Sequence, residues 1–497
     1  MTITIVGLGP GDAGLITRQA WHLLSAADTV YLRTRRHSAV DGLPAHLRHH
    51  SFDDIYDTAD DFAAVYRAIA NEVLRLGAAG DVVYAVPGHP YVGEATVAAI
   101  ARGAAEAGIP VRIVAGLSFV EPTLAALGVD ALDGLQLFDA IELADYLYPP
   151  INPDVPVLLG QVYSRLLAGE LKAALMSIYP AEQPVALVHA AGETTQRVER
   201  LALHEIDHSH YIDHLTSLYI PALPVKAGLT ALAETVNVLR SPNGCPWDRE
   251  QTPQSLREGF LEEAYEVLAA LDAADDDNLR EELGDLLYHI LMQTTLAAEA
   301  GAFTLTEVIA GIEAKLKRRH PHVWGDWQVS SSADVLRNWE VLKDREKAAR
   351  GATVAAASTL DGIPPALPAL ARSQKIQTRV ARTGFDWPDI DGVFAKLDEE
   401  VAEVRAAATA DEKRAELGDI LFVVVNLARW LGADAETALR EANERFSRRF
   451  RSVEQLAAGR GLALSALSFA ELDALWNEAK AALARSGVTD TVTGEPG

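Results

Sequence analysis

Two acidic patterns, each present twice, are the residues of this sequence best suited to chemistry. The first pattern reads E-E-x-x-E and the second, after a gap, reads E-x-x-D. Residues three apart lie on the same face of a helix, so each pattern projects a pair of carboxylates in one direction. If the two helices pack against each other, four carboxylates converge. The acids of the C-terminal copy are Glu399, Glu400, Glu403, Glu416 and Asp419.

An earlier copy of both patterns precedes this one in the chain. Its acids are Glu262, Glu263, Glu266, Glu282 and Asp285. An acidic run on a helix is usually a solvated face, and for one copy alone this explanation is as good as a functional one. Two copies with the same blocks in the same order favour a function.

Convergence of four carboxylates predicts a bound cation. Without one, the carboxylates would repel one another, and the repulsion would raise their pKa values. Oxygen-only ligands favour Mg²⁺, with Mn²⁺ as the alternative, over zinc. Because Mg²⁺ usually keeps waters and shares its shell with substrate phosphates, the pattern predicts a phosphoanhydride substrate.

Basic residues suited to such a substrate accompany the C-terminal acids. Lys396 precedes Glu399 by three residues and therefore shares its helix face. A basic helical stretch follows later, and Arg guanidinium groups bind phosphate oxygens through paired hydrogen bonds. Its residues are Asn443, Arg445, Arg448 and Arg449. Trp476 could stack on a nucleobase, although core packing is the more frequent role of a single tryptophan.

The duplication extends over the whole C-terminal half. Four blocks recur in order, which predicts two copies of one helical unit. They are LEEAYEVLAA (261–270) with DEEVAEVRAA (398–407), ELGDLLYHI (282–290) with ELGDILFVV (416–424), KLKRR (315–319) with RFSRR (445–449), and W-x-x-x-K from Trp339 with W-x-x-x-K from Trp476.

On these motifs the helical half resembles the MazG family of all-α nucleoside triphosphate pyrophosphohydrolases. Further matching segments are CPWDREQT (245–252), RRHPHVW (318–324), QKIQ (374–377) and TGFDW (383–387). The resemblance implies hydrolysis of NTP or dNTP to monophosphate and pyrophosphate with Mg²⁺. It also implies a homodimer that forms through the helical units.

The same resemblance implies roles for individual residues of the C-terminal copy. The metal ligands would be Glu400, Glu403, Glu416 and Asp419, and Glu399 would be the base that activates water. Lys396 and the basic stretch would hold phosphates, with Trp476 at the nucleotide. The corresponding metal ligands of the first copy are Glu263, Glu266, Glu282 and Asp285. That copy has Gly259 in place of Lys396, which leaves its activity open.

Three glycine-bearing loops mark a second candidate site near the N-terminus. Gly7, Gly9 and Gly11 follow the β-branched run 3–6, and VPGHPYVGEAT (86–96) and VAGLSFVEPTLAALG (114–128) follow two more such runs. Glycines let a ligand approach the backbone closely. Ligands of open α/β sheets bind at the carboxyl ends of the strands, so the three loops together predict a ligand cleft.

These loops resemble the tetrapyrrole methylase family, which binds S-adenosylmethionine. VGLGPGD, PGHP, AGLSF and VHAAGETTQR (188–197) match, over about residues 1–223. The cofactor-binding residues implied are Gly7, Gly9, Gly11, Gly88, His89, Ser118 and Thr194. His89 replaces the acid that many such methylases have, so the resemblance implies cofactor binding without naming a methyl acceptor. The alternative is a non-catalytic domain that senses its ligand and regulates the hydrolase.

The elements that must position both sites fall into two classes. Residues 1–223 alternate β-branched runs with Ala/Leu-rich stretches and predict an α/β domain. The strands expected there are 3–6, 82–86, 111–114, 155–159, 185–188 and 215–220, with a helix over 95–107. In the remainder, apolar residues at helical spacing predict helices, with a linker at 351–370 and a flexible tail at 486–497. The resemblance implies that these helices form two all-α MazG bundles, at 224–350 and 371–485.

Composition restricts the partners and the setting. The 497 residues carry a net charge of −26, which argues against binding a nucleic-acid polymer or an anionic membrane surface. The single cysteine, Cys245, rules out an intramolecular disulfide. No apolar run is long enough for a transmembrane helix, and the N-terminus resembles a first strand rather than a signal peptide. A cytoplasmic location is therefore expected.

Overall fold

The computed structural model describes residues 1–56, 62–332, 334–335, 338–339, 342 and 358–485. The predicted tail, residues 343–350 of the first predicted bundle and residues 351–357 of the predicted linker lie outside this part of the chain. By packing, the described residues form two compact units. The first unit holds Met1–Phe260 with Asp285–Ala300, and the second holds Leu261–Gly284 with the described residues from Gly301 onward.

The first unit begins with a five-stranded parallel sheet. Its spatial order is β3-β2-β4-β1-β5, and the strands are β1 (Ile3–Gly7), β2 (Thr29–Leu32), β3 (Arg48–Ser51), β4 (Val82–Val86) and β5 (Val111–Val114). The helices of this part are α1 (Arg18–Ala26), α2 (Asp53–Tyr56), α3 (Phe62–Ala79), α4 (Ala95–Ala107) and α5 (Val120–Leu127). Ile3 and Ile5 are completely buried on one face and Val6 on the other, as expected for a central strand covered on both sides.

A second five-stranded sheet follows in the same unit. Its order is β6-β7-β10-β8-β9, and the strands are β6 (Gln136–Asp139), β7 (Val157–Gly160), β8 (Pro184–His189), β9 (Arg197–Ala202) and β10 (Thr216–Ile220). Strands β6 and β7 are parallel, whereas β10 is antiparallel to both β7 and β8. Its helices are α6 (Ala140–Ala144) and α7 (Arg165–Leu175). Leu171 and Leu187 lie in the core that this sheet covers.

The predicted α/β organisation is confirmed, and the expected strands and the helix at 95–107 are present. Four strands were not predicted, namely β2, β3, β6 and β9. Strands β3 and β9 are sheet edges, and their sequences, RHHS and RVERLA, are polar because an edge strand has one side open to water. Edge strands such as these lack the apolar run by which a central strand is recognised in the sequence.

The remainder of the chain is helical throughout the described residues, as predicted. Its first helices are α8 (Leu229–Arg240), α9 (Pro246–Glu250), α10 (Arg257–Ala273), α11 (Asp276–Glu299), α12 (Leu305–Arg319) and α13 (Pro321–Trp324). The later helices are α14 (Ala369–Ala381), α15 (Ile390–Ala406), α16 (Ala410–Trp430), α17 (Ala435–Gly459) and α18 (Phe469–Arg485). None of the described helices is long and apolar enough to cross a membrane.

One carboxylate fixes the start of α8 within the first unit. Asp154 accepts hydrogen bonds from the backbone amides of Ala227 at 2.7 Å and Gly228 at 3.1 Å. These amides stand at the N-terminus of α8, where backbone N–H groups have no partner within the helix. The chain that leaves the second sheet is therefore tied back to it.

Candidate functional site

The acids of the C-terminal copy lie on two neighbouring helices. Asp389 caps the N-terminus of helix α15, and its side chain accepts a hydrogen bond from the Gly392 amide. Thr409 caps the N-terminus of helix α16 in a capping box, in which the side chains of Thr409 and Glu412 each accept a hydrogen bond from the other's backbone amide. Only residues 407–409 separate the two helices, so they pack side by side as a helical hairpin.

This hairpin brings three carboxylates together. One oxygen each from Glu400, Glu403 and Glu416 lies within 4.8 Å of the other two. Glu400 is only 4% exposed, and its Oε2 atom has no hydrogen-bond partner among the described residues. A buried carboxylate oxygen without a partner is costly, so this atom is available to a hydrogen-bond donor or a cation.

Asp419 lies outside the group of three, although it was expected to join it. It is exposed and lies three residues beyond Glu416 on α16. The pKa of Glu416 is raised by desolvation, and then by the charges of Glu403, Glu400 and Asp419. Asp419 therefore acts on the cluster electrostatically.

Lys396 is the positive group that contacts the cluster. Its Nζ atom lies 2.7 Å from Glu400 Oε1 and 2.8 Å from Glu399 Oε1. Hydrogen bonds to these two carboxylates raise the pKa of Lys396. The expectation that Lys396 shares the helix face of the acids is confirmed, and Glu399 stands at the edge of the cluster.

The first copy has the same cluster of three carboxylates, but different residues surround it. One oxygen each from Glu263, Glu266 and Glu282 lies within 4.8 Å of the other two. Asp285, the fourth predicted ligand, belongs to the first packing unit. In that unit a Cβ atom on Gly259 would lie 2.9 Å from the His289 ring, which occupies the space beside this glycine.

The predicted phosphate-binding residues lie on α17. Asn443 and Arg448 are exposed, and Arg445 lies 3.7 Å from Glu441 on the same helix. The guanidinium of Arg449 lies over the ring of Trp476, 5.9 Å from its centroid.

Trp476 lies on α18 and also packs 5.0 Å from the Phe446 ring, centroid to centroid. It borders the small apolar core between α17 and α18. The contacts of the half-buried Trp476 ring with Phe446 and Arg449 support the packing role, and stacking on a nucleobase stays a prediction.

The N-terminal glycine loops converge at the carboxyl ends of adjacent strands. A Cβ atom on Gly7 would lie 2.5 Å from the Gly88 carbonyl oxygen and 2.7 Å from the Gly116 amide nitrogen. Gly9 and Gly88 exchange backbone hydrogen bonds at 3.3 and 2.7 Å. Gly116, which was not singled out from the sequence, is thus needed for the close approach of the three loops.

The other predicted cofactor residues lie around these loops. Ser118 is buried, and its amide and hydroxyl both donate to Glu121. His89 accepts a hydrogen bond through Nδ1 from the Tyr91 amide. Thr194 is exposed, next to Glu193.

Glu193 is a further residue that the sequence patterns did not single out. A Cβ atom on Gly11 would lie 2.6 Å from Glu193 Cγ. The glycine loop after β1 therefore contacts the loop after β8 from the second sheet.

Comparisons with known proteins assign the glycine loops and the acid clusters to two different families. The model of tetrapyrrole (corrin/porphyrin) methylases matches residues 2–207, and that of the MazG nucleotide pyrophosphohydrolase domain matches 251–324 and 391–453. A Bacillus subtilis protein described only as uncharacterized, YabN, is 39% identical over 97% of this chain and 99% of its own length. The nucleoside triphosphate pyrophosphohydrolase of Escherichia coli is 46% identical over 49% of this chain and 93% of its own length.

The chain belongs to the MazG family and carries an N-terminal tetrapyrrole methylase domain. A Thermotoga maritima protein named nucleoside triphosphate pyrophosphohydrolase/pyrophosphatase MazG is 41% identical over 50% of this chain and 94% of its own length. Both acid clusters fall within the two MazG segments, and the glycine loops fall within the methylase domain.

Proposed function

We propose that the MazG half hydrolyses nucleoside triphosphates, NTP or dNTP, to the monophosphate and pyrophosphate. The observation that carries this proposal is the convergence of Glu400, Glu403 and Glu416, with a buried Glu400 oxygen that lacks a donor. The pyrophosphohydrolases of Escherichia coli and Thermotoga maritima, which align with this half, support the reaction type.

The donor set fits a hard divalent cation. Glu400, Glu403 and Glu416 would hold Mg²⁺ or Mn²⁺ through oxygen, with Asp419 as a fourth ligand or as a nearby charge. Such a cation offsets charge on phosphate oxygens and lowers the pKa of bound water. Of the first copy, Glu263, Glu266 and Glu282 would form the corresponding site, and the sequence of that copy has Gly259 where the second has Lys396.

The remaining residues of the site have separate tasks. Glu399 would accept the proton of the attacking water, since it is exposed and borders the cluster. Lys396 balances the acids and would exchange Glu399 for a phosphate oxygen when substrate binds. Arg445, Arg448 and Arg449, with Asn443, would hold the phosphates, and Trp476 would face the nucleoside.

The experiment that tests this proposal is a nucleotide panel with Mg²⁺ that measures pyrophosphate against orthophosphate. We expect monophosphate and pyrophosphate in equal amounts, and no turnover in excess EDTA until Mg²⁺ or Mn²⁺ is restored. Nucleoside diphosphate with orthophosphate as the main products would rule out the proposed reaction.

For the methylase domain we propose S-adenosylmethionine binding and methyl transfer to an acceptor. The convergence of the Gly7, Gly88 and Gly116 backbones supports a cleft at the strand ends, the usual ligand position in α/β sheets. Gly9, Gly11, His89, Ser118 and Thr194 would complete its lining.

The alternative is a sensor domain that binds the same ligand and regulates hydrolysis. Two measurements separate these functions. Release of S-adenosylhomocysteine in the presence of candidate acceptors supports transfer. A change in the rate of pyrophosphate release on adding S-adenosylmethionine, without its consumption, supports sensing.

A cytoplasmic homodimer formed by the helical units completes the proposal. The second unit exposes large apolar side chains on α16, and Leu417 and Leu421 are 52% and 51% exposed. A second copy of the chain would cover them. Sedimentation analysis of the full chain tests the dimer, and a monomer at micromolar concentration would contradict it.

A further inference from the structure

A cavity of about 710 Å³ lies between α1 and one face of the first sheet. On that face the cross-strand row that contains Val6 is completely buried. The neighbouring row, two residues earlier on each strand, consists of Val83, Thr4 and Arg112, which are half-buried or exposed. A parallel sheet normally has both faces covered. This uncovered row therefore leaves space for a ligand near the amino ends of the strands, at the opposite end from the glycine loops.

The lining of this cavity is basic. Arg18 and His22, one turn apart on α1, face it together with Arg112 from β5. No aspartate or glutamate of the described residues lines it, although the chain has 70 acidic residues against 44 lysines and arginines. Within the same part of the chain, neither the Arg18 nor the Arg112 guanidinium has an ion-pair or hydrogen-bond partner. Two unpaired arginines in one cavity of an acidic protein favour an anionic ligand.

The rest of the lining selects the kind of anion. Arginine guanidinium groups bind phosphate oxygens through paired hydrogen bonds, and Thr4 and Gln19 add polar groups beside them. The apolar wall of the cavity consists of Leu23, Ala26, Ala27 and Val83. Cavities that hold small ligands measure roughly 300–1,000 Å³, so an inorganic phosphate would occupy only a small part of this one. The lining therefore suits a phosphate ester with a larger, partly apolar body.

We propose that this cavity binds a nucleoside monophosphate. The phosphate would pair with Arg18 and Arg112, and the base would lie against the apolar wall. A nucleoside monophosphate joins a strongly charged phosphate to a ring system of the size that the cavity accepts. The proposed hydrolase would release such a molecule, and its product would then bind to the methylase domain. The inference concerns binding alone, so it depends neither on the hydrolase reaction nor on S-adenosylmethionine.

The first experiment measures binding of AMP, GMP, CMP and UMP to the full-length protein by calorimetry. Excess EDTA keeps cations from the acid clusters, and saturating S-adenosylhomocysteine fills the proposed cofactor cleft. At least one monophosphate should bind. Arg18→Gln and Arg112→Gln should each weaken that binding about tenfold or more, because each removes a hydrogen bond between charged groups. Arg102→Gln, at an exposed arginine of α4 outside the cavity, is the matched control and should bind as the wild type does.

The second experiment divides the ligand into its parts. Inorganic phosphate and the free nucleoside should each bind about tenfold more weakly than the monophosphate, or worse, because each contacts only one part of the lining. Gln19→Glu adds a carboxylate to the cavity at almost unchanged side-chain shape, and its repulsion should also weaken binding of the monophosphate. Since Gln19 is exposed on α1, this variant tests the site even where an arginine variant fails to fold.

Three results would overturn the proposal. They are no binding of any monophosphate by the wild type, wild-type affinity in the folded Arg18→Gln, Arg112→Gln or Gln19→Glu protein, and binding of inorganic phosphate or the nucleoside as tight as that of the monophosphate. Circular dichroism and thermal melting establish which variants fold. Monophosphate binding at this cavity in a protein that releases no pyrophosphate would refute the hydrolase proposal and leave this inference supported.

Discussion

At the scale of single residues, the hydrolase proposal depends most on Glu400. Its side chain is buried on α15, one oxygen is paired with Lys396, and the other has no donor within the described residues. The other two clustered acids, Glu403 and Glu416, are more exposed and complete the oxygen group. An acid that is buried, half-paired and adjacent to two other acids is better explained by a cation than by packing.

The double variant Glu400→Gln, Glu403→Gln should therefore lose pyrophosphate release by about a hundredfold or more, because the charge stabilisation from a catalytic metal is worth several kcal/mol. The matched control is Glu263→Gln, Glu266→Gln in the first copy, which should cost less because that copy has Gly259 in place of Lys396. Steady-state kinetics with saturating Mg²⁺ measures both. A larger loss in the first-copy variant would reverse this order of importance.

The glycine loops give a second prediction at this scale. Gly9→Val is a poor probe of the ligand, because a Cβ atom there would lie 2.9 Å from the Leu15 carbonyl oxygen of its own loop. Gly88 has a φ of +65°, and a Cβ atom there would meet only the Leu117 oxygen at 4.0 Å. Gly88→Ala should cost about 1–2 kcal/mol of backbone strain and block the cleft.

We expect Gly88→Ala to weaken binding of S-adenosylhomocysteine in calorimetry, while pyrophosphate release stays at the wild-type rate. Gly108→Ala is the matched control, since Gly108 has a similar φ of +68° at the end of α4, away from the loops. Equal binding by both variants would mean that the Gly88 loop does not line the ligand site.

At the scale of elements, the start of α16 determines where Glu416 stands. The capping box of Thr409 and Glu412 fixes the first turn, and Glu416 follows one turn later. Thr409→Ala should lower the free energy of unfolding by about 1 kcal/mol, the usual value of an N-cap. Chemical denaturation at pH 7 measures this loss. If the variant unfolds with the same free energy as the wild type, the capping box does not stabilise α16.

The capping box of Thr409 and Glu412 also predicts that the stability of the protein depends on pH. Hydrogen bonds from the amides of Thr409 and Ala408 lower the pKa of Glu412 below its ordinary value of 4.5. A lowered carboxyl pKa adds stability above pH 4.5, and this stability is lost as the pH falls through the folded-state pKa. Glu412→Gln should thus be less stable than the wild type at pH 7, and the difference should shrink at low pH. A difference that stays constant would contradict this origin.

At the scale of the whole molecule, the two families occupy separate stretches of the chain. The Escherichia coli relative aligns with the MazG half alone and over 93% of its own length. A fragment from residue 225 should therefore fold, dimerise and release pyrophosphate. Turnover per site within about threefold of the full chain is expected, because Glu400, Glu403 and Glu416 lie in the second packing unit, which contains no residue of the methylase domain.

The structure identifies what this fragment loses. Asp154 of the methylase domain binds the amides of Ala227 and Gly228 at the start of α8. The full-length variant Asp154→Ala is the control, since it removes only this cap. If a folded fragment hydrolyses no nucleotide while the Asp154→Ala protein does, the methylase domain must complete the hydrolase site, and independent function of the halves would be wrong.

The sequence by itself determined both families and most of the secondary structure. Acids three apart on a helix share a face whatever surrounds the helix, so the pairing of Glu400 with Glu403 follows from local geometry. The apolar strands β1 and β4 were likewise predictable, because a central strand covered on both faces needs a mostly apolar run. The edge strands β3 and β9 lack that run.

Tertiary structure alone decided which side chains meet. The displacement of Asp419 from the acid cluster depends on how α15 and α16 pack, which no spacing within one helix encodes. The approach of Gly116 to Gly7 follows from the sheet order β4-β1-β5, and the position of Glu193 beside Gly11 joins segments far apart in the chain.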